Sequence, residues 1–220
     1  MKLNHPLIII IAVAICFSCN NDDFKFHDRS YPSLDTREAT DINDNGAVLH
    51  GELLGLGTSP IKDYGFVYRE TQTLSLNDSE IISLGKSPQT GEFSAVANRN
   101  MPEGKLCFYT TYAIVEPNNM VVYGREKVFT SLGGIPHTIT DIIPSEGFPS
   151  DTFMIIGSGF SNLPYGQSVF LGDRPAKTVK SPGDTIYCIV PKMNAGEFDV
   201  AVVLNDKKTI SPKKFKVKAL

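Results

Sequence analysis

The chain has no tryptophan at all and only 4 histidines and 4 cysteines among its 220 residues. Each shortage closes a class of function. Without Trp, the largest flat ring available for stacking on a ligand is missing. Beyond the amino-terminal segment the only histidines are His27, His50 and His137, far apart, and neither an HExxH run, a Cys/His metal pair nor a GxSxG turn occurs. Paired acids such as Asp22 and Asp23 lie in a polar stretch where no cleft can hold them for acid–base work. We therefore expect no enzyme activity and no cofactor. No long stretch repeats with a 3.6-residue period, and no apolar run after Phe17 is long enough to span a bilayer. Charge of one sign is also lacking. Residues 19–134 carry 10 Lys and Arg against 16 Asp and Glu, and 135–220 carry 10 against 8. Neither balance suits nucleic acid as a partner.

The amino terminus, MKLNHPLIIIIAVAICFSC, places one Lys before an apolar stretch from Leu7 to Phe17. That stretch is too short for a mature membrane helix and reads as a secretory signal. Cys16, Phe17 and Ser18 before Cys19 resemble a bacterial lipobox, which implies cleavage after residue 18 and a lipid on Cys19. The resemblance departs from the usual pattern at Cys16 and Phe17. The following Asn20, Asn21, Asp22 and Asp23 resemble the acidic stretch of Bacteroidetes lipoproteins exported to the outer face of the outer membrane. The expected location is thus the outer membrane, lipid-anchored and facing the exterior.

What remains is rich in turn formers, 14 Pro and 18 Gly over the whole chain, set between short alternating apolar runs. This predicts an all-β protein of two tandem immunoglobulin-like sandwiches after the signal peptide: a tether over 19–34, a first domain over 35–132 and a second over 135–220. Cys107 and Cys188 fall in different predicted domains, so each is expected to be a buried apolar residue and not half of a disulfide.

In the first domain seven strand signals follow one another: TREATDI, AVLHGEL, DYGFVYRE, SEIISLG, GEFSAVA, LCFYTTYAIV and VVYGREKVFTS. Thr36 with Glu38–Ala39–Thr40, Gly51–Glu52, the run from Ile61 to Glu70, Gly91–Glu92–Phe93–Ser94, Tyr112–Ala113 and Tyr123–Gly124 together resemble the fibronectin type III-like modules of Bacteroidetes surface lipoproteins. In the second domain, Pro144 and Gly147 in the first turn, Gly157–Ser158–Gly159–Phe160 after the second strand, Gly172 with Ala176, and Pro191 resemble an IPT/TIG domain. Phe160, Val169, Ile186, Ile189 and Val200 are expected on its inner face.

Three features invite a functional reading. Asp41, Asn43, Asn45, Gly46 and Glu52 fit the spacing of an EF-hand calcium loop. Leu49 occupies a ligand position, however, and AVLHGEL alternates as a strand, so an Asx-rich turn is the preferred reading and no metal is expected. Tyr64, Phe66 and Tyr68 share one face of the third predicted strand, and Phe108 and Tyr112 share a face of the sixth, beside it. If exposed they would make a ligand-stacking platform; if not, they are core. Lys207, Lys208, Lys213, Lys214, Lys216 and Lys218 crowd the last hairpin, where lysines blunt strand-to-strand aggregation.

The resemblances imply a non-catalytic cell-surface lipoprotein, an accessory binding or presenting module of the kind used in polysaccharide capture. The alternatives are an adhesion or assembly component that binds another surface protein, and a bare structural spacer.

Overall fold

A computed structural model describes residues 29–86 and 88–219. Cys19, the signal sequence and the acidic stretch lie outside the described residues. Among the described residues there is no helix, and the 17 strands form two separate sets of sheets.

The first set holds nine strands. β3 (Gly46–Gly55) pairs with β1 (Ser33–Thr36) and β2 (Thr40–Asn43) along one edge and with β6 (Gly91–Ala97) along the other. In the facing sheet, β7 (Leu106–Val115) lies between β4 (Ile61–Arg69), flanked by β5 (Glu80–Ser83), and the pair β8 (Met120–Tyr123) and β9 (Lys127–Thr130). Two of the seven expected strands are thus broken in two. TREATDI leaves the ladder at Arg37–Ala39. VVYGREKVFTS breaks at Gly124, where an added Cβ would sit 2.2 Å from Thr111 Oγ1 and 2.7 Å from Thr36 Oγ1. Those two hydroxyls lie 3.2 Å apart in the buried seam of Thr36, Thr110 and Thr111. Between the sheets pack Ala47, Leu49, Phe66, Tyr68, Ala97, Cys107, Tyr109 and Phe129.

The second set is nearly continuous, because β14 (Arg174–Lys180) pairs with β13 (Ser168–Leu171) over its first half and with β15 (Thr185–Ile189) over its second. The order runs β10 (Thr138–Ile143), β12 (Thr152–Ser158), β15, β14, β13, β16 (Gly196–Leu204), β17 (Lys207–Val217), β11 (Glu146–Gly147). Gly157 is where β10 crosses closest: an added Cβ would lie 1.9 Å from Thr138 O. Phe153, Ile155, Phe160, Leu171, Ile186, Cys188, Val200, Val202 and Phe215 form the core. Ile189 is only half-buried, contrary to expectation. With Ile186 and Cys188 both inward, the two-residue period turns Ile189 outward, and Val190 takes the core position after the strand ends.

Cys107 and Cys188 are buried free thiols, one in each core. Burial pushes both up to about 12, so neither is a nucleophile at neutral pH.

Candidate functional site

The stacking platform does not exist. In the register of β4 with β7, Phe66 faces Thr111 and Tyr68 faces Tyr109, while Tyr112 lies opposite Gly65 and Phe108 opposite Arg69. The two expected rows therefore occupy opposite faces of the sheet. Phe66 and Tyr68 point inward and are 0% and 2% exposed. Tyr64 leans edge-on against Phe93 at 5.2 Å. Tyr112 sits on the outer face and is still buried. Its hydroxyl donates to Asp63 Oδ2 at 2.7 Å, and the excursion between β4 and β5 folds onto its neighbour Tyr123, whose hydroxyl accepts the Leu76 N–H at 3.1 Å. Burial first, and Asp63 second, push the Tyr112 phenol up. Phe108 is half-buried. These five rings are structural.

The EF-hand spacing is an Asx turn. Asn43 Oδ1 accepts the Asn45 N–H at 2.8 Å, and Asn43 Nδ2 donates to Asp41 O at 2.8 Å. Glu52 is carried away along β3 and pairs with Arg37. Asp41, Asn43, Asn45 and Glu52 thus converge on no common point. No cluster of three or more His, Cys, Asp or Glu suited to a metal occurs among the described residues.

The polar side chains that do converge lie at the junction between the two sandwiches. Glu80, the first residue of β5, is 1% exposed. Its Oε1 accepts from Asn100 Nδ2 at 2.9 Å and from the Ser161 hydroxyl, and its Oε2 accepts the Asn162 N–H at 2.9 Å. A carboxylate from the first sandwich is thereby held by the 159–167 loop of the second. That loop is itself pinned: Gln167 Oε1 accepts the Ser161 N–H at 2.8 Å, and the Ser181 hydroxyl donates to Ser161 O at 2.6 Å. Around this centre Arg99 pairs with Asp184 at 3.0 Å, Tyr165 OH donates to Asp78 at 3.1 Å, and Asn162 Nδ2 donates to Ile81 O at 3.4 Å. Burial, and then the charge of Glu80, push the Tyr68 phenol well up; its hydroxyl donates to Arg99 O at 3.0 Å, tying the joint to the first core.

The connecting segment is fastened on both sides. Ile135 N–H donates to Asn98 O at 2.8 Å, His137 Nε2 donates to Val202 O at 3.1 Å, and Thr209 Oγ1 donates to His137 O at 3.2 Å. Beside it opens a shallow cleft of about 340 Å³ lined by Glu70, Glu103, Lys105, Asp206 and Lys207. Sequence reasoning missed this joint because its partners lie about 80 residues apart. The one visible signal was a charged residue opening the apolar strand signal SEIISLG.

Residues 137–217 match the model of the IPT/TIG domain family. Fibrocystin-L of Homo sapiens is 26% identical over 113 residues, which is 51% of this chain; the chain spans 3% of that protein's length. An auxiliary nutrient binding protein from Bacteroides thetaiotaomicron is 27% identical, with a TM-score of 0.34 over 38% of this chain and 21% of its own. SGBP-B from a complex xyloglucan utilization locus in Bacteroides uniformis is 15% identical, with a TM-score of 0.34 over 84% of this chain and 49% of its own. The Gly157–Phe160 turn, the Gly172 turn and the continuous sheet of β10–β17 are where the family match falls: residues 137–217 form an IPT/TIG domain.

Proposed function

We propose that this chain is a non-catalytic presenting module of a cell-surface lipoprotein: a fibronectin type III-like sandwich and an IPT/TIG domain fixed in one orientation, lipidated at Cys19 on the outer membrane and facing outward. The observation that carries this reading is the joint. A flexible linker would serve to let two modules move; here a buried carboxylate, a salt bridge and a pinned linker hold them together. A charge-assisted hydrogen bond in a dry site is about twice as strong as a neutral one, and three converge on Glu80. Stiffness is what a spacer needs in order to hold a binding element at a set distance from a membrane. The three-over-four pairing of β1/β2–β3–β6 against β5–β4–β7–β8/β9 supports the fibronectin-like assignment. The setting assigned by the sequence resemblance is a polysaccharide-capture assembly, with the sugar contacted by something other than these five rings, of which Phe66, Tyr68 and Tyr112 are buried and Tyr64 and Phe108 half-buried.

Pulsed-EPR distances between labels at Asn118→Cys and Lys192→Cys, one on each sandwich, test the stiffness. One narrow population is expected, and a broad distribution in the unmodified background would end the reading.

A specific observation favours a second reading, contact with another surface protein. β6 is a sheet edge of seven residues in unbroken register, without Lys, Arg or Pro, and with Val96 57% exposed. The opposite edge of the same sheet is interrupted at Arg37–Ala39. An edge left unblunted in this way accepts an added strand. Loss of cell-to-cell aggregation in a folded Val96→Lys variant would support it.

A further inference from the structure

The end of the first sandwich away from the joint is apolar where solvent meets it. Tyr31, Leu54, Leu56 and Met120 are 47%, 56%, 40% and 38% exposed. Tyr31, Leu56 and Met120 gather around one corner: a depression of about 320 Å³ is lined by Tyr31, Ser59, Pro117 and Met120, and one of about 300 Å³ by Leu56, Ser59, Pro60 and Pro88; Leu54 stands one residue before the end of β3 at Gly55. The chain enters the fold at this same corner, where Arg29 O accepts the Thr58 N–H at 3.1 Å and Ser30 O accepts the Ser59 N–H at 2.9 Å. The other end of the sandwich is covered by the IPT/TIG domain.

We propose that this corner rests in the interfacial layer of the membrane that anchors the chain, with Tyr31 at headgroup level and Leu54, Leu56 and Met120 directed toward the acyl boundary. The proposal rests on the lipid at Cys19. Arg29 lies ten positions after Cys19, and ten fully extended residue steps reach at most about 35 Å. An acyl group there keeps this corner within that reach of the bilayer surface. Confinement raises the local concentration of membrane seen by the apolar side chains, so that a contact too weak to form from solution forms once tethered. Tyr suits the interface because its ring is apolar and its hydroxyl wet. Together with the stiff joint, such seating fixes the tilt of the whole molecule to the membrane as well as its distance.

The absence of Trp makes the test direct. Leu56→Trp in the full acylated chain introduces a sole tryptophan at the corner. Met120→Trp is a second reporter if the first disturbs folding, and Val179→Trp, 50% exposed on β14, is the remote control. Each variant is reconstituted into vesicles of phosphatidylethanolamine and phosphatidylglycerol, with and without brominated acyl chains. We expect brominated lipid to reduce the corner emission roughly twofold or more, with a blue shift, and to leave Val179→Trp unchanged. Protein that floats with the vesicles but is quenched at neither site overturns the proposal and leaves the anchor standing. A blue shift without quenching also overturns it, since it means that protein, from the tether or from a second copy, covers the corner. Protein that does not float at all overturns the anchor, and this inference with it.

Discussion

The two sandwiches are similar in size but are stabilised differently. The IPT/TIG core is a single apolar mass with Phe153 and Phe215 rings 4.9 Å apart and a sheet that wraps round through β14. The first sandwich has two separate sheets and a core in which phenols do much of the filling. Tyr109 donates to Arg37 O at 2.8 Å and Tyr68 to Arg99 O at 3.0 Å, so its core is bonded to its own loops. An apolar core gains stability from burial alone. A phenolic one adds hydrogen bonds that fix where loops sit, and one of those loops, 98–100, forms half of the joint. The first sandwich is therefore the one whose core and joint are coupled.

The largest effects should come from removing a fully buried ring from either sandwich. Phe153→Ala removes a fully buried ring from the second sandwich and Tyr112→Ala one from the first; each should cost about 3–5 kcal/mol. If the comparison holds, the damage stays on its own side. Trapping the two thiols with a maleimide in mild denaturant and reading each by mass spectrometry should show Cys188 opening early in Phe153→Ala and Cys107 early in Tyr112→Ala. Equal acceleration of both thiols in both variants would mean one cooperative unit and would sink the distinction.

Next in size is Glu80→Ala, which leaves the Ser161 hydroxyl, the Asn162 N–H and Asn100 without their shared acceptor. The loss should be about 2–4 kcal/mol. Because it falls on the joint, hydrogen exchange should rise in residues 159–167 and 98–100 while the centres of both cores stay protected. Exchange rising throughout the first sandwich and not at all in the 159–167 loop would show that Glu80 supports only its own domain.

These cases also show what the sequence could carry. Strand positions were legible because Gly, Pro and Asn turns punctuate alternating runs, and the IPT/TIG domain was legible because Gly157 and its neighbours are fixed by close backbone crossings. Register was not. A shift of one residue between β4 and β7 exchanges faces, and nothing local in DYGFVYRE or LCFYTTYAIV says which ring opposes which. Nor could the sequence show the excursion that folds over Tyr112, or a carboxylate at Glu80 whose partners arrive from Ser161 and Asn162. Local patterns reveal local structure, and the joint is made entirely of distant contacts.

Alkali should separate the sandwiches more gently. Cys107 and Tyr109 are pushed up to about 12, and Tyr68 and Tyr112 are also raised, all four by burial first, whereas the core of the second sandwich has only Cys188 in this state. A raised folded pKa means that the folded chain keeps a proton the unfolded chain gives up. Stability is then fully present below the unfolded value and declines as pH rises through the folded one. The decline should begin near pH 9, where the unfolded thiols and then the phenols ionise, and continue to about 12. In a stopped-flow pH jump, the phenolate absorbance of the first sandwich should appear before its partner unfolds; the reverse order would contradict the assignment of the phenolic core.

The smallest effect belongs to the lysine-rich hairpin. Lys218 pairs with Glu146 at 2.7 Å and Lys213 with Asp141 at 2.8 Å, and in each case the lysine holds the carboxyl below its ordinary range. A lowered folded pKa contributes stability that is present above the unfolded value and lost as pH falls through the folded one, so the pH dependence these pairs create is confined to the acid flank, below about pH 4.5. Both carboxyls are open to solvent, where salt screens such pairs and their contribution to stability is slight. Lys218→Ala should therefore leave the unfolding midpoint at neutral pH unchanged, yet the Glu146 side-chain carbon, followed by NMR through an acid titration, should shift its midpoint upward toward the free carboxyl value. An unmoved midpoint would mean that Lys216, the other lysine near Glu146, sets its environment, and that the hairpin lysines act as a charged fringe on the strand rather than as specific pairs.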